Sequence, residues 1–172
     1  IPFGSAGQSV TISATARDTS GQVTVSEPVR VNIVADEQPP ALVIEQPAID
    51  YTQVIEGTEV FVKATASDNV AVTGVTFFAD DLVLSSDTSA PYEFYLSVDP
   101  ARWSAGSEIE LKAVAVDPAG NETEKIRMIG VVGDLEPTVE IISPSDGYHA
   151  VEGQNIQVTA LADDDIDVTS LG

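Results

Sequence analysis

The chain repeats itself out of step with its own ends. SAGQSVTISATARDTSGQ (Ser5 to Gln22) returns about 99 residues later as SAGSEIELKAVAVDPAGN (Ser104 to Asn121). VIEGTEVFVKATASDNVAVTGV (Val54 to Val75) returns about 96 residues later as AVEGQNIQVTALADDDIDVTSL (Ala150 to Leu171). A period near 100 residues matches a small all-β sandwich rather than a short solenoid repeat. The expected organisation is residues 1–38 as the C-terminal part of one unit, 39–134 as a complete unit and 135–172 as the N-terminal part of a third, excerpted from a longer array. Pieces of roughly 35–40 residues fall below the size that normally holds itself together, so both ends are expected to be completed by further sequence, a neighbouring chain or each other.

Period-two alternation dominates and helical periodicity is missing. Val60, Val62, Ala64 and Ala66 point one way while Glu59, Phe61, Lys63 and Thr65 point the other. Ile109, Leu111, Ala113 and Ala115 repeat the pattern, and Val10, Ile12, Ala14 and Ala16 copy it near the start. These are half-buried antiparallel strands. Seven strands are predicted in the middle unit, near 41–46, 58–67, 72–79, 82–86, 92–98, 108–116 and 123–132. Asp117, Pro118, Ala119, Gly120 and Asn121 mark a strong turn. Short strands punctuated this way describe an immunoglobulin-like sandwich, with acidic, proline-closed linkers at Asp36–Pro40 and Gly133–Pro137.

ASDNVAVTGVTFFADD, TSAPYEF and SAGSEIELKAVAVDPAGN together resemble the bacterial immunoglobulin-like repeat domains, found in tandem in surface adhesins and secreted polysaccharide-degrading enzymes. The likeness spans essentially residues 39–132. It implies an all-β fold and a role in reach and presentation rather than chemistry. The family usually places Gly after the Asp of the hairpin that follows its Phe, whereas here Asp80 is followed by Asp81.

Charge restricts the partners. A formal net charge of −21 with seven Lys plus Arg repels phosphate backbones and anionic membrane surfaces, so no nucleic acid is expected. No apolar run is long enough for a membrane span. Zero cysteines removes disulfide and thiol chemistry without fixing the compartment.

Acidic residues gather where this topology brings domain ends together. At the first junction these are Asp36 and Glu37 on the linker, Asp68 and Asn69 after the second predicted strand, and Asp117 with Asn121 before the last. At the second they are Asp134 and Glu136 with Asp163, Asp164, Asp165 and Asp167. Converging carboxylate and amide oxygens suit Ca²⁺, which takes about six to eight oxygen ligands. The competing account is that Asp and Asn make turns and keep the surface soluble. No EF-hand or nonapeptide calcium spacing is present.

Catalysis has little to build on, because His149 is the only histidine and lies in a predicted loop. Trp103 is either a sugar-stacking platform or a plug for the open end of the sandwich, and Phe61, pointing away from the core, is the other candidate contact. The leading expectation is a non-catalytic extracellular or cell-surface spacer in a bacterial adhesin, its partners neighbouring repeats of the same protein and its cofactor calcium. Two alternatives stand beside it. One is a carbohydrate-contacting accessory module of a secreted polysaccharide-active enzyme; the other is a filament or surface-layer subunit whose ends are completed by adjacent chains.

Overall fold

The computed structural model describes residues 1–166, 168 and 170, all in strands, turns and loops. Fourteen strands run along the described residues, beginning with β1 (Ser9–Ile12), β2 (Thr15–Arg17), β3 (Val23–Val25) and β4 (Val29–Asn32). The middle unit holds β5 (Ala41–Gln46), β6 (Thr52–Ile55), β7 (Glu59–Ser67), β8 (Gly74–Ala79), β9 (Leu82–Asp87), β10 (Tyr92–Ser97), β11 (Glu108–Val116) and β12 (Glu122–Val132). β13 (Thr138–Ser143) and β14 (Thr159–Asp163) follow.

In the middle unit, a three-stranded sheet of order β10-β7-β5 faces a five-stranded sheet of order β6-β12-β11-β8-β9. Alternation decides which side chains lie between them. Val60, Val62 and Ala64 of β7 are buried with Leu42 and Ile44 of β5 and with Tyr92 and Leu96 of β10; opposite stand Val75, Phe77 and Ala79 of β8, Ile109, Leu111, Ala113 and Ala115 of β11, and Ile129 and Val131 of β12. Phe77 packs on Phe94 across the core, ring centroids 5.0 Å apart. This is the immunoglobulin-like sandwich that the alternation implies.

One strand departs from the seven expected. β6 pairs parallel to β12, Thr52 opposite Ile129 and Ile55 opposite Val132. Its four residues are too few to show a period, and only the return of the chain beside β12 makes them a strand.

Gly74 opens β8 where the chain passes close to the end of β9. A Cβ there would lie 2.8 Å from the backbone carbonyl oxygen of Asp87, an atom tied to the ladder through the Val75–Asp87 pair. Gly74→Ala is expected to destabilise the sandwich by about 1–3 kcal/mol, measured by urea unfolding, since the clash is with main chain.

The flanking segments share local features with the middle unit. Asp117 N donates to Asn121 O (3.1 Å) and Gly120 N to Asp117 O (3.3 Å); Asp18 N likewise donates to Gln22 O (3.0 Å) and Gly21 N to Asp18 O (3.2 Å). Downstream, the β5–β7 bulge between Ile44 and Gln46 recurs in β13–β14 between Ile141 and Ser143. The flanking strands nevertheless leave Val10, Ile12, Val29, Val31, Val139, Ile141 and Leu161 exposed. Each of these strand pairs, β1-β4, β2-β3 and β13-β14, forms a two-stranded sheet by itself.

Candidate functional site

Among the described residues, two groups of three carboxylates form where linkers meet strand ends. Asp36, Asp68 and Asp117 each offer one oxygen within 4.8 Å of the others, and so do Asp134, Asp164 and Asp165. That span is roughly twice a Ca²⁺–oxygen distance of about 2.4 Å, so one ion could touch all three carboxylates of a group.

The first group is built by three elements ending at one pole. Asp36 precedes β5, Asp68 follows β7 and Asp117 follows β11, and the pairing of Ala41 with Ser67 keeps the first two ends level. Backbone and amide donors fix one oxygen of each linker and loop acid. Asp36 Oδ1 accepts from Gln38 N (3.2 Å) and Asn69 Nδ2 (3.1 Å); Asp68 Oδ2 accepts from Val70 N (2.8 Å) and Ala71 N (3.2 Å). The other oxygens, Asp36 Oδ2 and Asp68 Oδ1, are buried and have no hydrogen-bond partner among the described residues. A buried carboxylate oxygen without a donor or cation is costly.

Asp117 is the deepest member at 3% exposed. Its Oδ1 accepts from Asn121 N (2.8 Å) and its Oδ2 from Asn121 Nδ2 (2.7 Å). Desolvation pushes its pKa up, but hydrogen bonds from the Asn121 side chain and from the backbone of Asn121, Gly120 and Ala119 outweigh it and hold the carboxyl below its usual value. Asn121 Nδ2 also reaches the carbonyl of Asp36 at 3.3 Å, tying the linker to this loop.

At the second group, Asp165 Oδ1 accepts from Leu135 N and Asp164 Oδ2 from Ile166 N, both at 3.3 Å. The latter copies the Asp68-to-Val70 turn. Asp134 is held above its usual pKa, first by desolvation, then by the charges of Asp165 and Asp164, a hydrogen bond with Asp165, and the charge of Glu56. Glu56 carried no signal in the sequence. It stands at the far pole of the middle unit, its Oε2 accepting from Ala105 N at 2.8 Å.

Among the sequence candidates, Asn69 and Asn121 serve as amide donors in the first group. Glu37 and Glu136 are exposed and stand outside both groups. Asp163 also stands apart, its carbonyl accepting from Thr138 Oγ1 at 3.2 Å. Asp167 lies outside the described residues. Beside the first group, a cleft of about 650 Å³ opens between the N-terminal segment and the middle unit, lined in part by Phe3, Val34, Val70 and Pro118.

Trp103 is not a stacking platform: it is 5% exposed and belongs to the core. Its Nε1 donates to Asp80 Oδ2 at 3.0 Å, and the Arg102 guanidinium covers its ring at 4.8 Å. Asp80 takes φ 52°, so the hairpin turns on the Asp itself rather than on a following Gly. Phe61 does lie on the outer face, with Tyr95 beside it, ring centroids 5.2 Å apart. His149 is exposed in a loop. Among the described residues no helix is long and apolar enough to cross a membrane.

Residues 40–108 match a family model described as bacterial Ig domain. Comparison with curated proteins finds no match. Among solved structures, the fibronectin(III)-like modules of Clostridium thermocellum CbhA share 28% identity with this chain, over 54% of its length and 96% of theirs, with a TM-score of 0.47. With the three-over-five sandwich around it, the matched segment is a member of the bacterial immunoglobulin-like domain family.

Proposed function

We propose that this chain is a stretch of a non-catalytic, extracellular spacer made of tandem immunoglobulin-like units, in which Ca²⁺ at the two carboxylate groups stiffens the junctions. The observation that carries the reading is the pair of buried oxygens, Asp36 Oδ2 and Asp68 Oδ1, with no hydrogen-bond donor among the described residues, beside a third carboxylate. Nearby N–H groups already satisfy the opposite oxygens, and a single cation shared with Asp117 would meet both remaining acceptors.

The recurrence of the arrangement supports the mechanical part. Asp134 and Asp164 stand about 98 and 96 residues after Asp36 and Asp68, each pair at the same place relative to its strands. Each ion would bridge a linker to the end of a sandwich, cancel the repulsion there and limit bending. Units whose strands run along the array would each add about 30–40 Å of reach at ~3.3 Å per residue.

Calorimetric titration of the full chain with CaCl₂ tests the reading. Two saturable sites are expected, one lost in Asp36→Asn and the other in Asp164→Asn. Small-angle scattering is expected to show a narrower range of shapes in millimolar Ca²⁺ than in chelator. No saturable heat at millimolar Ca²⁺, with identical scattering in both buffers, would refute the metal part; a flexible, metal-free spacer would then remain.

A further inference from the structure

We infer that the apolar faces of the β1-β4 and β13-β14 sheets are the two sides of one interface, through which copies of this chain join head to tail. The middle unit is the template for the fit. There β5 packs across the core on β11 and β12, and Arg127 Nη2 of β12 donates to the carbonyl of Ile44 at 3.3 Å. Upstream, Val10 stands opposite Val31 as Ile109 stands opposite Ile129. Ile33 exchanges backbone bonds with Gly7 and Gln8, both at 2.9 Å, as Val131 does with Gly106 and Ser107 at 2.8 and 2.9 Å. Val10, Val31 and Ile33 therefore occupy the places of Ile109, Ile129 and Val131, and Ile12 that of Leu111.

Downstream, Val139 and Ile141 stand opposite Ala162 and Ala160 as Leu42 and Ile44 stand opposite Ala66 and Ala64. The burial differs sharply. Leu42 and Ile44 are 3% and 4% exposed, whereas Val139 and Ile141 are 68% and 62% exposed. One chain thus displays both members of a layer pair whose mode of contact its own middle unit shows, and that contact names the occupant of each face as the other.

The two faces belong to opposite poles of the middle unit. The upstream segment enters where β5 begins, at the Asp117 end of β11, and the downstream segment leaves where β12 ends, past the Gly130–Glu108 pair at the other end of β11. Nine residues of β11 hold these poles about 30 Å apart, so each face meets its complement on a second copy. The joined surfaces are unlike, which makes the contact heterologous and lets it repeat along a string instead of closing as a twofold dimer. Burial of Val and Ile side chains drives it. Charge opposes it, since each copy carries −21 and residues 135–172 hold no Lys or Arg, and added salt relieves that repulsion by screening.

Sedimentation velocity of the full chain in chelator, so that no bound cation contributes, tests this. The average mass is expected to rise above the 18.0 kDa monomer between about 1 and 100 μM, and to rise further in about 0.5 M salt. Ile12→Glu and Ile141→Glu each place a charge in one face, and each alone is expected to stay monomeric. Mixed in equal amounts they are expected to recover dimers, because the intact downstream face of the first meets the intact upstream face of the second. Leu161→Glu, on the outer face of β14 opposite Glu140, is expected to associate as the parent does. Trp103 is the single tryptophan, and unchanged unfolding by its fluorescence would show that each variant keeps the middle unit. A monomer at every concentration, parental association by either single variant, a mixture that stays monomeric, or loss in Leu161→Glu rather than in Ile141→Glu would overturn the inference.

Discussion

Trp103→Ala is expected to cost about 3–5 kcal/mol in urea unfolding, a large share of the roughly 5–15 kcal/mol that holds a domain together. The indole closes one end of the sandwich as part of the buried cluster, and its backbone N–H is anchored to the Asp99 carbonyl at 2.8 Å. Its ring N–H has a designated acceptor in Asp80 Oδ2 at 3.0 Å, while Asp80 Oδ1 receives the backbone N–H of Glu110 at 3.1 Å. Asp80 thus links the β8–β9 turn, β11 and the indole.

The variants at Asp80 rank by what each removes. Asp80→Asn keeps an acceptor oxygen and a residue type that tolerates left-handed φ, so it is expected to be the mildest. Asp80→Ala strands the buried indole N–H, costing about 1–3 kcal/mol, and adds about 1 kcal/mol or more for Ala at positive φ. Trp103→Phe retains most of the ring and loses only the hydrogen bond. A double-mutant cycle between Asp80→Ala and Trp103→Phe is expected to show coupling above about 0.5 kcal/mol. Strict additivity would mean that the Asp80–Trp103 bond contributes nothing.

Calcium is expected to reverse the sign of the response to mild acid. Asp134 is held above its ordinary value of 3.8, so its contribution to stability is complete below that value and is lost as pH rises through the raised one. In chelator, acidifying from neutral pH toward that raised value therefore relieves the second junction. With Ca²⁺ bound, protons compete with the ion for the same oxygens, and acidification over the same range weakens the junction.

Asp117 behaves oppositely, since its carboxyl is held below 3.8. Its contribution is complete above that value and disappears as pH falls through the lowered one; Ca²⁺ bound at the first junction would move that loss to still lower pH without changing its sign. Stability of the full chain followed by thermal melts across pH, in chelator and in Ca²⁺, checks all of this. Free Ca²⁺ at 100 times its Kd would add about 2.7 kcal/mol per site at neutral pH. Parallel pH curves in the two buffers would rule out cation binding at these carboxylates, and raised salt is expected to shrink the Asp134 effect by screening.

The strands of the middle unit were legible because alternation is a local property. Val60 to Ala66 and Ile109 to Ala115 announce which side faces inward whatever lies opposite. The out-of-phase repeat showed equally well that the Asp117 loop and the Asp18 loop are one structure, and it marked the poles where carboxylates meet. Distance between chain segments was beyond its reach. Selecting Asp117 and rejecting Glu37 requires knowing how three ends converge within a few ångströms, and finding β6 requires its neighbour β12. That Trp103 is buried against Asp80 while Tyr95 stands exposed beside Phe61 also depends on which surfaces the second sheet covers. Periodicity assigns a side chain to a face; only packing decides whether that face meets protein, solvent or a partner.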